Sequence, residues 1–125
     1  MSGSDSTPGG KTPQAELRRT PRIAVRNRLQ GHLISIDRPV ALRDFSLGGF
    51  SIETDDAIPS GSHVVCLQQG DRWSVTVTAE SRHRQTRLLA DGSRRYIMGF
   101  EYADQSADTQ QTIRLLFERL AAEEP

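Results

Sequence analysis

The stretch Asp44-Phe45-Ser46-Leu47-Gly48-Gly49-Phe50 interrupts an otherwise apolar, strand-like alternation with small and polar residues. After the two glycines, Phe50 and Ile52 resume the period-two spacing of a strand. Adjacent glycines permit backbone angles that are closed to other residues, and they let a ligand approach the main chain closely. The stretch therefore predicts a bend that joins two strands and a place where a ligand can meet the backbone.

A basic segment, Leu17-Arg18-Arg19-Thr20-Pro21-Arg22, lies about twenty residues upstream. Pro21 biases the residue before it towards extended backbone, which argues against a helix here. Basic residues exceed acidic ones by four between Met1 and Ile36 (six against two), and fifteen of the sixteen basic residues of the chain are arginine. Arginine suits bidentate phosphate contacts and stacking on bases. The two stretches together predict one anion-binding site.

The composition bounds the class of protein. At 125 residues the chain has room for one modest core, and its formal net charge is zero, so no global field attracts nucleic acid. The single cysteine, Cys66, lies in an apolar run and is expected to pack as a small hydrophobe. No stretch approaches the roughly 18 apolar residues of a membrane span, and no apolar signal core is present. We expect a cytoplasmic protein with no membrane span.

Period-two runs separated by turn residues predict six or seven short strands. Trp73, Val75, Val77 and Ala79 alternate with polar residues most clearly, and Arg82-His83-Arg84 continues that strand towards solvent. The expected strands are 22–36 with a bulge or bend at Gly31, 40–46, 50–54, 63–68, 73–80 and 95–102, with a turn at 37–39 and a loop at 55–62.

The period changes after Asp104. Ile113, Leu116, Phe117 and Leu120 fall on one helix face, which predicts a helix from about 108 to 122 that covers one end of the barrel. Asp108 and Gln111 have the spacing of a capping box. The predicted fold is mainly β: a small antiparallel barrel at about 22–102 with a C-terminal α-helix. Residues 1–14 are expected to form a disordered tail, and 15–125 a single domain.

The residue types at the predicted site suit an anion that carries a base. Arg18 and Arg22 lie roughly 13 Å apart in extended backbone, so they can clamp two sides of one anion. Asp44 and Ser46 share a strand face; a carboxylate accepts from guanine N–H groups and a hydroxyl donates to an oxygen. Gly49 and Gly48 can offer backbone N–H groups. The alternative is a tight turn in which Asp44 and Ser46 only satisfy backbone groups.

Taken together, Arg18-Arg19-Thr20-Pro21-Arg22 and Asp44-Phe45-Ser46-Leu47-Gly48-Gly49 resemble the paired signature of PilZ domains, an Arg-x-x-x-Arg arm followed by Asp/Asn-x-Ser-x-x-Gly. The late strand 96–102 is similar too. The resemblance implies a six-stranded antiparallel barrel that binds cyclic di-GMP. It implies that Arg18 and Arg22 hold phosphates and stack on guanine, that Asp44, Ser46 and Gly49 complete the contacts, and that Arg19 adds a further contact. In such domains the residue at the position of Leu17 is thought to influence ligand number.

The function that this resemblance implies is a second-messenger receptor that relays cyclic di-GMP to a downstream protein in bacterial motility or biofilm regulation. We expect the protein to have no cofactor and to be a monomer or weak dimer. The alternative is a PilZ-type interaction module without nucleotide binding. A nucleic-acid-binding barrel is disfavoured by the lack of interleaved aromatic and basic residues. An enzyme is disfavoured because His32, His63 and His83 are far apart and no metal-ligand spacing appears. His83 is expected at a solvated strand end, with a position beside the ligand as the other interpretation.

Overall fold

The computed structural model of the chain describes residues 21–103 and 105–123. The predicted tail at 1–14 and two predicted site residues, Arg18 and Arg19, lie outside the described residues. The described chain forms seven strands, one 3₁₀ turn at Ile34–Ile36 and one helix. The strands are β1 (Ile23–Ala24), β2 (Gln30–Leu33), β3 (Arg38–Phe45), β4 (Gly49–Thr54), β5 (Ser62–Gln69), β6 (Trp73–Leu88) and β7 (Arg94–Tyr102), and the helix is α1 (Ala107–Ala122).

Six of the strands close into a ring. The order around it is β3, β2, β5, β6, β7 and β4, and pairing between β3 and β4 closes it. Every pair is antiparallel. The short strand β1 adds to the edge of β3, where Ile23 pairs with Phe45 and Ala24 with Asp44. The predicted small antiparallel barrel with a C-terminal helix is confirmed.

The core lies inside this ring because alternate side chains of each strand point inward. Phe50 and Phe100 stack there with ring centroids 5.2 Å apart. The helix closes the core with Ile113, Leu116 and Leu120, which are buried in the same cluster as the barrel residues. Within residues 21–103 and 105–123, no helix is long and apolar enough to cross a membrane.

The prediction of one strand over 22–36 is wrong, because a turn divides it. The carbonyl of Val25 accepts from the amides of Arg28 (2.8 Å) and Leu29 (3.1 Å), and Asn27 adopts a left-handed φ of 68°. Val25 and Leu29 are both buried, so the turn preserves the apolar alternation that suggested a continuous strand. Gly31 pairs regularly with Val40 and is no bulge.

Register shifts occur elsewhere, between Leu42 and Asp44 in β3 and between Ser81 and His83 in β6. The strand that contains His83 runs on to Leu88, so the expectation that His83 marks a strand end is wrong. Residues 38 and 39 of the predicted turn already belong to β3.

The predicted helix cap is also wrong. Ser106 is the N-cap, and its Oγ accepts from the Thr109 amide at 3.1 Å, whereas Asp108 lies in the first turn. Serine in extended backbone can accept this bond more directly than a residue already inside the helix.

Candidate functional site

The candidate site lies on the outer face of the barrel, where five strands present one continuous row of paired residues. Ala24 pairs with Asp44, Asp44 with Ser51, Ser51 with Gly99 and Gly99 with His83. The neighbouring row, from Ile23 through Phe45 and Phe50 to Phe100, is buried in the core. Because side chains alternate along strands, the first row faces outward. Ser51 and Gly99, at the centre of the first row, are small, so they form a shallow floor between Asp44 and His83.

Arg22 and Asp44 meet at one end of this floor. The Nη1 atom of Arg22 donates to Oδ1 of Asp44 at 2.7 Å, and the two side chains are 50% and 29% exposed. The pairing of β1 with β3 creates this contact, because it places the residues before Ile23 beside the end of β3. An ion pair this exposed contributes little to stability, so either partner can exchange for a ligand group at small cost.

Ser46 begins the loop between β3 and β4, and its hydroxyl is buried. Its Oγ accepts from the amides of Gly48 and Gly49, both at 3.2 Å, and donates to the Gly49 carbonyl at 3.1 Å. The Ser46 amide also donates to that carbonyl at 2.8 Å. The amides of Gly48 and Gly49, which we expected to be available to a ligand, thus donate to Ser46 in this structure.

Gly48, the last residue of this loop, and Gly49, the first residue of β4, have different surroundings. A Cβ atom at Gly49 would collide with the carbonyl of Phe100 on β7, so close approach of two backbones requires glycine there. A Cβ atom at Gly48 would meet nothing within 4 Å. Gly49 therefore allows the loop to close onto the barrel, and Gly48 leaves the surface beside the loop open.

A cavity of about 280 Å³ opens between this loop and β6–β7. Arg22 and Gly48 lie on one side of it, and Arg82, His83 and Glu101 lie on the other; the remaining lining residues are Ser46, Gly99 and Phe100. His83 is exposed, and its ring contacts Gly99, where a Cβ atom would lie 3.1 Å from it. The cavity contains residues of both predicted halves of the site, Arg22 from the arm and Ser46 and Gly48 from the loop. Among the described residues, no group of three His, Cys, Asp or Glu side chains could hold a metal ion.

Arg82 and Glu101 were not singled out from the sequence. Arg82 lies at the register shift of β6, and its Nε atom donates to Oε1 of Glu101 at 2.7 Å. In a chain with fifteen arginines, nothing in the local pattern separates this one from the others. The contact between Arg82 and Glu101 becomes visible only once the pairing of β6 with β7 is known.

Comparison with solved structures gives several similar folds. The PilZ domain of YcgR from Escherichia coli, solved with c-di-GMP, superposes with a TM-score of 0.68 at 16% identity, covering 85% of this chain and 92% of that one. The c-di-GMP complex of K. pneumonia MrkH gives 0.70 at 18% identity, covering 85% and 53%. The Bacillus subtilis inhibitor of motility MotI gives 0.60 at 18% identity, covering 86% and 52%. The chain thus spans about half the length of the latter two proteins.

The chain has a PilZ-like fold. No protein-family model matches it and no curated protein does, so this assignment depends on structure. Five of the predicted site residues lie close together in the PilZ-like barrel. Arg22 precedes β1, Asp44 lies near the end of β3, Ser46 and Gly48 are in the loop that follows, and Gly49 begins β4.

Tyr102 of β7 holds the loop between β3 and β4 of the PilZ-like barrel through two hydrogen bonds. Its hydroxyl donates to the Ser46 carbonyl at 3.3 Å, and its amide donates to the Gly48 carbonyl at 3.1 Å. Burial of the phenol raises the pKa of Tyr102 well above its usual range, although the positive charge of Arg22 works against that shift. Tyr102 therefore stays neutral at any physiological pH and acts as a fixed hydrogen-bond donor.

Further along the outer face, Glu53 of β4 is surrounded by cations. Its carboxylate meets Arg95 at 3.0 Å, Arg26 at 3.2 Å and Arg43 at 3.4 Å. Burial alone would raise the pKa of Glu53, but the hydrogen bond from Arg95 and the charges of the three arginines outweigh it, so that the pKa lies below its ordinary value of 4.5. This cluster carries more positive than negative charge and lies on the same face as Arg22 and Asp44.

Proposed function

We propose that this chain is a cyclic di-GMP receptor that relays the second messenger to a partner protein. The observation that carries the proposal is the contact between Arg22 and Asp44, which joins the two motifs at 2.7 Å beside a cavity on the outer face. The fold supports it, since the PilZ domain of E. coli YcgR and K. pneumonia MrkH were both solved with this nucleotide.

In the proposed complex, Arg22 leaves Asp44 to bind a phosphate or stack on guanine, and Arg18 acts with it. Asp44 then accepts from the ring N–H and exocyclic amine of guanine. Arg19 adds a further cation. The exchange replaces one exposed ion pair with charge-assisted hydrogen bonds to the ligand, each contributing about 1.5–3 kcal/mol when well formed.

Ser46, Gly48 and Gly49 have a different part in the proposal. Their mutual hydrogen bonds fix the loop, so their main contribution is the shape of the surface beside Asp44. A direct contact between Ser46 and the ligand would require one of these bonds to exchange. The cavity of about 280 Å³ is small for a pocket that encloses a whole ligand. It suits one end of a dinucleotide whose remainder lies on the open outer face.

Isothermal titration of the full chain with cyclic di-GMP tests the proposal. We expect a heat of binding, and we expect Arg22→Ala and Asp44→Ala each to weaken affinity at least about tenfold, because each loses a charged contact. Arg72→Ala is the matched control, since Arg72 lies in the turn between β5 and β6 and does not line the cavity beside the loop. A folded protein that gives no heat at tens of micromolar concentration would overturn the proposal.

The second candidate is a protein-interaction module that does not bind nucleotide. The observation that favours it is the internal satisfaction of the site: Arg22 is paired with Asp44, and Ser46 holds both glycine amides. This candidate predicts a silent titration and a partner whose binding is indifferent to both cyclic di-GMP and Arg22→Ala. Loss of partner binding on addition of cyclic di-GMP, or in the Arg22→Ala variant, would exclude this candidate.

A further inference from the structure

A second and larger cavity, of about 790 Å³, lies beside the candidate ligand site. The first part of α1 forms one wall with Gln110 and Arg114, and the middle of β6 and the end of β7 form the other with Glu80 and Glu101. Gly48, Arg82 and Glu101 line both cavities. These three residues therefore form the boundary between the two cavities, and Arg82 has the longest side chain among them.

Arg82 forms ion pairs with two acidic side chains that face each other, so its one positive charge offsets part of their repulsion. Glu80 and Glu101 are directly opposite in the β6–β7 ladder, an arrangement of like charges that is unfavourable by itself. The Nε atom of Arg82 lies 2.7 Å from Oε1 of Glu101, and Nη2 lies 3.4 Å from Oε1 of Glu80. All three side chains are about half exposed, at 52%, 47% and 46%, so the ion pairs are weak and can exchange.

We propose that the larger cavity is a docking site for a basic segment of a partner protein and that Arg82 couples it to the ligand site. The coupling rests on the proposed function, because the phosphate of a bound nucleotide is the group that draws Arg82 away from the carboxylates. Glu80 and Glu101 then face each other without a cation. A lysine or arginine of the partner takes the place that Arg82 leaves.

Charge and shape limit how the segment lies in the cavity. Arg114 on the α1 wall repels a second cation, so the basic residue of the partner docks on the strand side, against Glu80 and Glu101. Leu47 is partly exposed and lines the same cavity, so it offers apolar contact beside the carboxylates. The expected partner segment thus combines a basic residue with a neighbouring apolar one.

The test uses the full chain and a fluorescein-labelled peptide that carries one arginine next to one leucine among glycine and serine residues, at low ionic strength. We expect saturating cyclic di-GMP to raise peptide affinity about tenfold, which is within the usual range of coupling between sites. By linkage, the peptide should raise nucleotide affinity by the same factor. Arg82→Gln should bind the peptide tightly without nucleotide, and the double variant Glu80→Gln, Glu101→Gln should not bind it in either state.

Glu118→Gln on the exposed side of α1 is the control and should leave peptide binding unchanged. Thermal melting confirms that each variant is folded. A folded Arg82→Gln protein that does not bind the peptide overturns the docking site, even where the wild type binds nucleotide. Nucleotide-dependent dimerisation in light scattering that is lost in the Glu80→Gln, Glu101→Gln double variant would assign the carboxylates to a second copy and also overturn it. Peptide binding to Arg82→Gln with no nucleotide heat in the wild type would overturn the proposed function and leave the docking site standing.

Discussion

Gly48 and Gly49 are adjacent where the loop after β3 runs into β4, but packing requires only one of them to be glycine. We expect Gly49→Ala to lower the free energy of unfolding by about 3 kcal/mol, because the new methyl group collides with the backbone of Phe100 on β7. Gly48→Ala, which meets nothing within 4 Å, should change it by less than about 0.5 kcal/mol. Urea denaturation measures both. Equal losses for the two variants would contradict the assignment of Gly49 to backbone packing.

The contribution of Glu53 to the free energy of unfolding should depend on pH. Its pKa is lowered in the folded protein, so its contribution to stability is present above the ordinary value of 4.5 and is lost as pH falls through the lower, folded value. Glu53→Gln should therefore cost about 1 kcal/mol at pH 7, a modest amount because the surrounding arginines are partly exposed. The difference from the wild type should shrink below about pH 4.5.

Thermal unfolding of wild type and Glu53→Gln from pH 7 down to pH 3 measures this dependence. Asp71→Asn, in the turn between β5 and β6, is the control that changes charge without contacting the cluster. A difference between Glu53→Gln and wild type that stays constant with pH would mean that the three arginines do not hold this carboxylate in its charged form.

At the scale of elements, α1 is held to the barrel by one face. Leu116 is fully buried in the shared core, whereas the neighbouring Leu115 is 53% exposed. We expect Leu116→Ala to cost about 2–5 kcal/mol and Leu115→Ala less than about 0.5 kcal/mol. Urea denaturation distinguishes them. A large cost at Leu115 would mean that the outer face of α1 is covered by a partner or by another part of the chain.

The elements also show which features the sequence could predict. Period-two and helical spacing identify β3, β4, the start of β6 and α1, because burial selects their apolar residues. The turn at 25–29 is hidden, since Val25 and Leu29 keep the alternation across it. Arg22, Asp44 and Ser46 can be found from local motifs. Arg82 cannot, because its importance depends on a register shift and on a carboxylate of another strand.

At the scale of the whole molecule, closure of the ring is what assembles the candidate site. Arg22 precedes β1, Asp44 lies near the end of β3, and His83 and Glu101 come from β6 and β7, so residues up to 79 positions apart meet on one face (101 minus 22). The pairing of β3 with β4 and of β4 with β7 connects the Arg22–Asp44 side of the site to the β6–β7 side. A ligand that contacts Arg22 and the β6–β7 side together would therefore link distant parts of the barrel.

This connection predicts that cyclic di-GMP stabilises the entire fold. A ligand that binds only the folded state at about 100 times its dissociation constant adds about 2.7 kcal/mol, which corresponds to a rise of several degrees in the melting temperature. Arg22→Ala should melt within a few degrees of the wild type without ligand, because it loses one exposed ion pair, and should show a much smaller ligand-induced rise. Differential scanning calorimetry over a series of nucleotide concentrations measures both quantities. GMP at the same concentrations is the control for a general effect of a guanine nucleotide. An equal rise for wild type and Arg22→Ala would place the nucleotide elsewhere on the barrel, away from the face on which Arg22 and Asp44 meet.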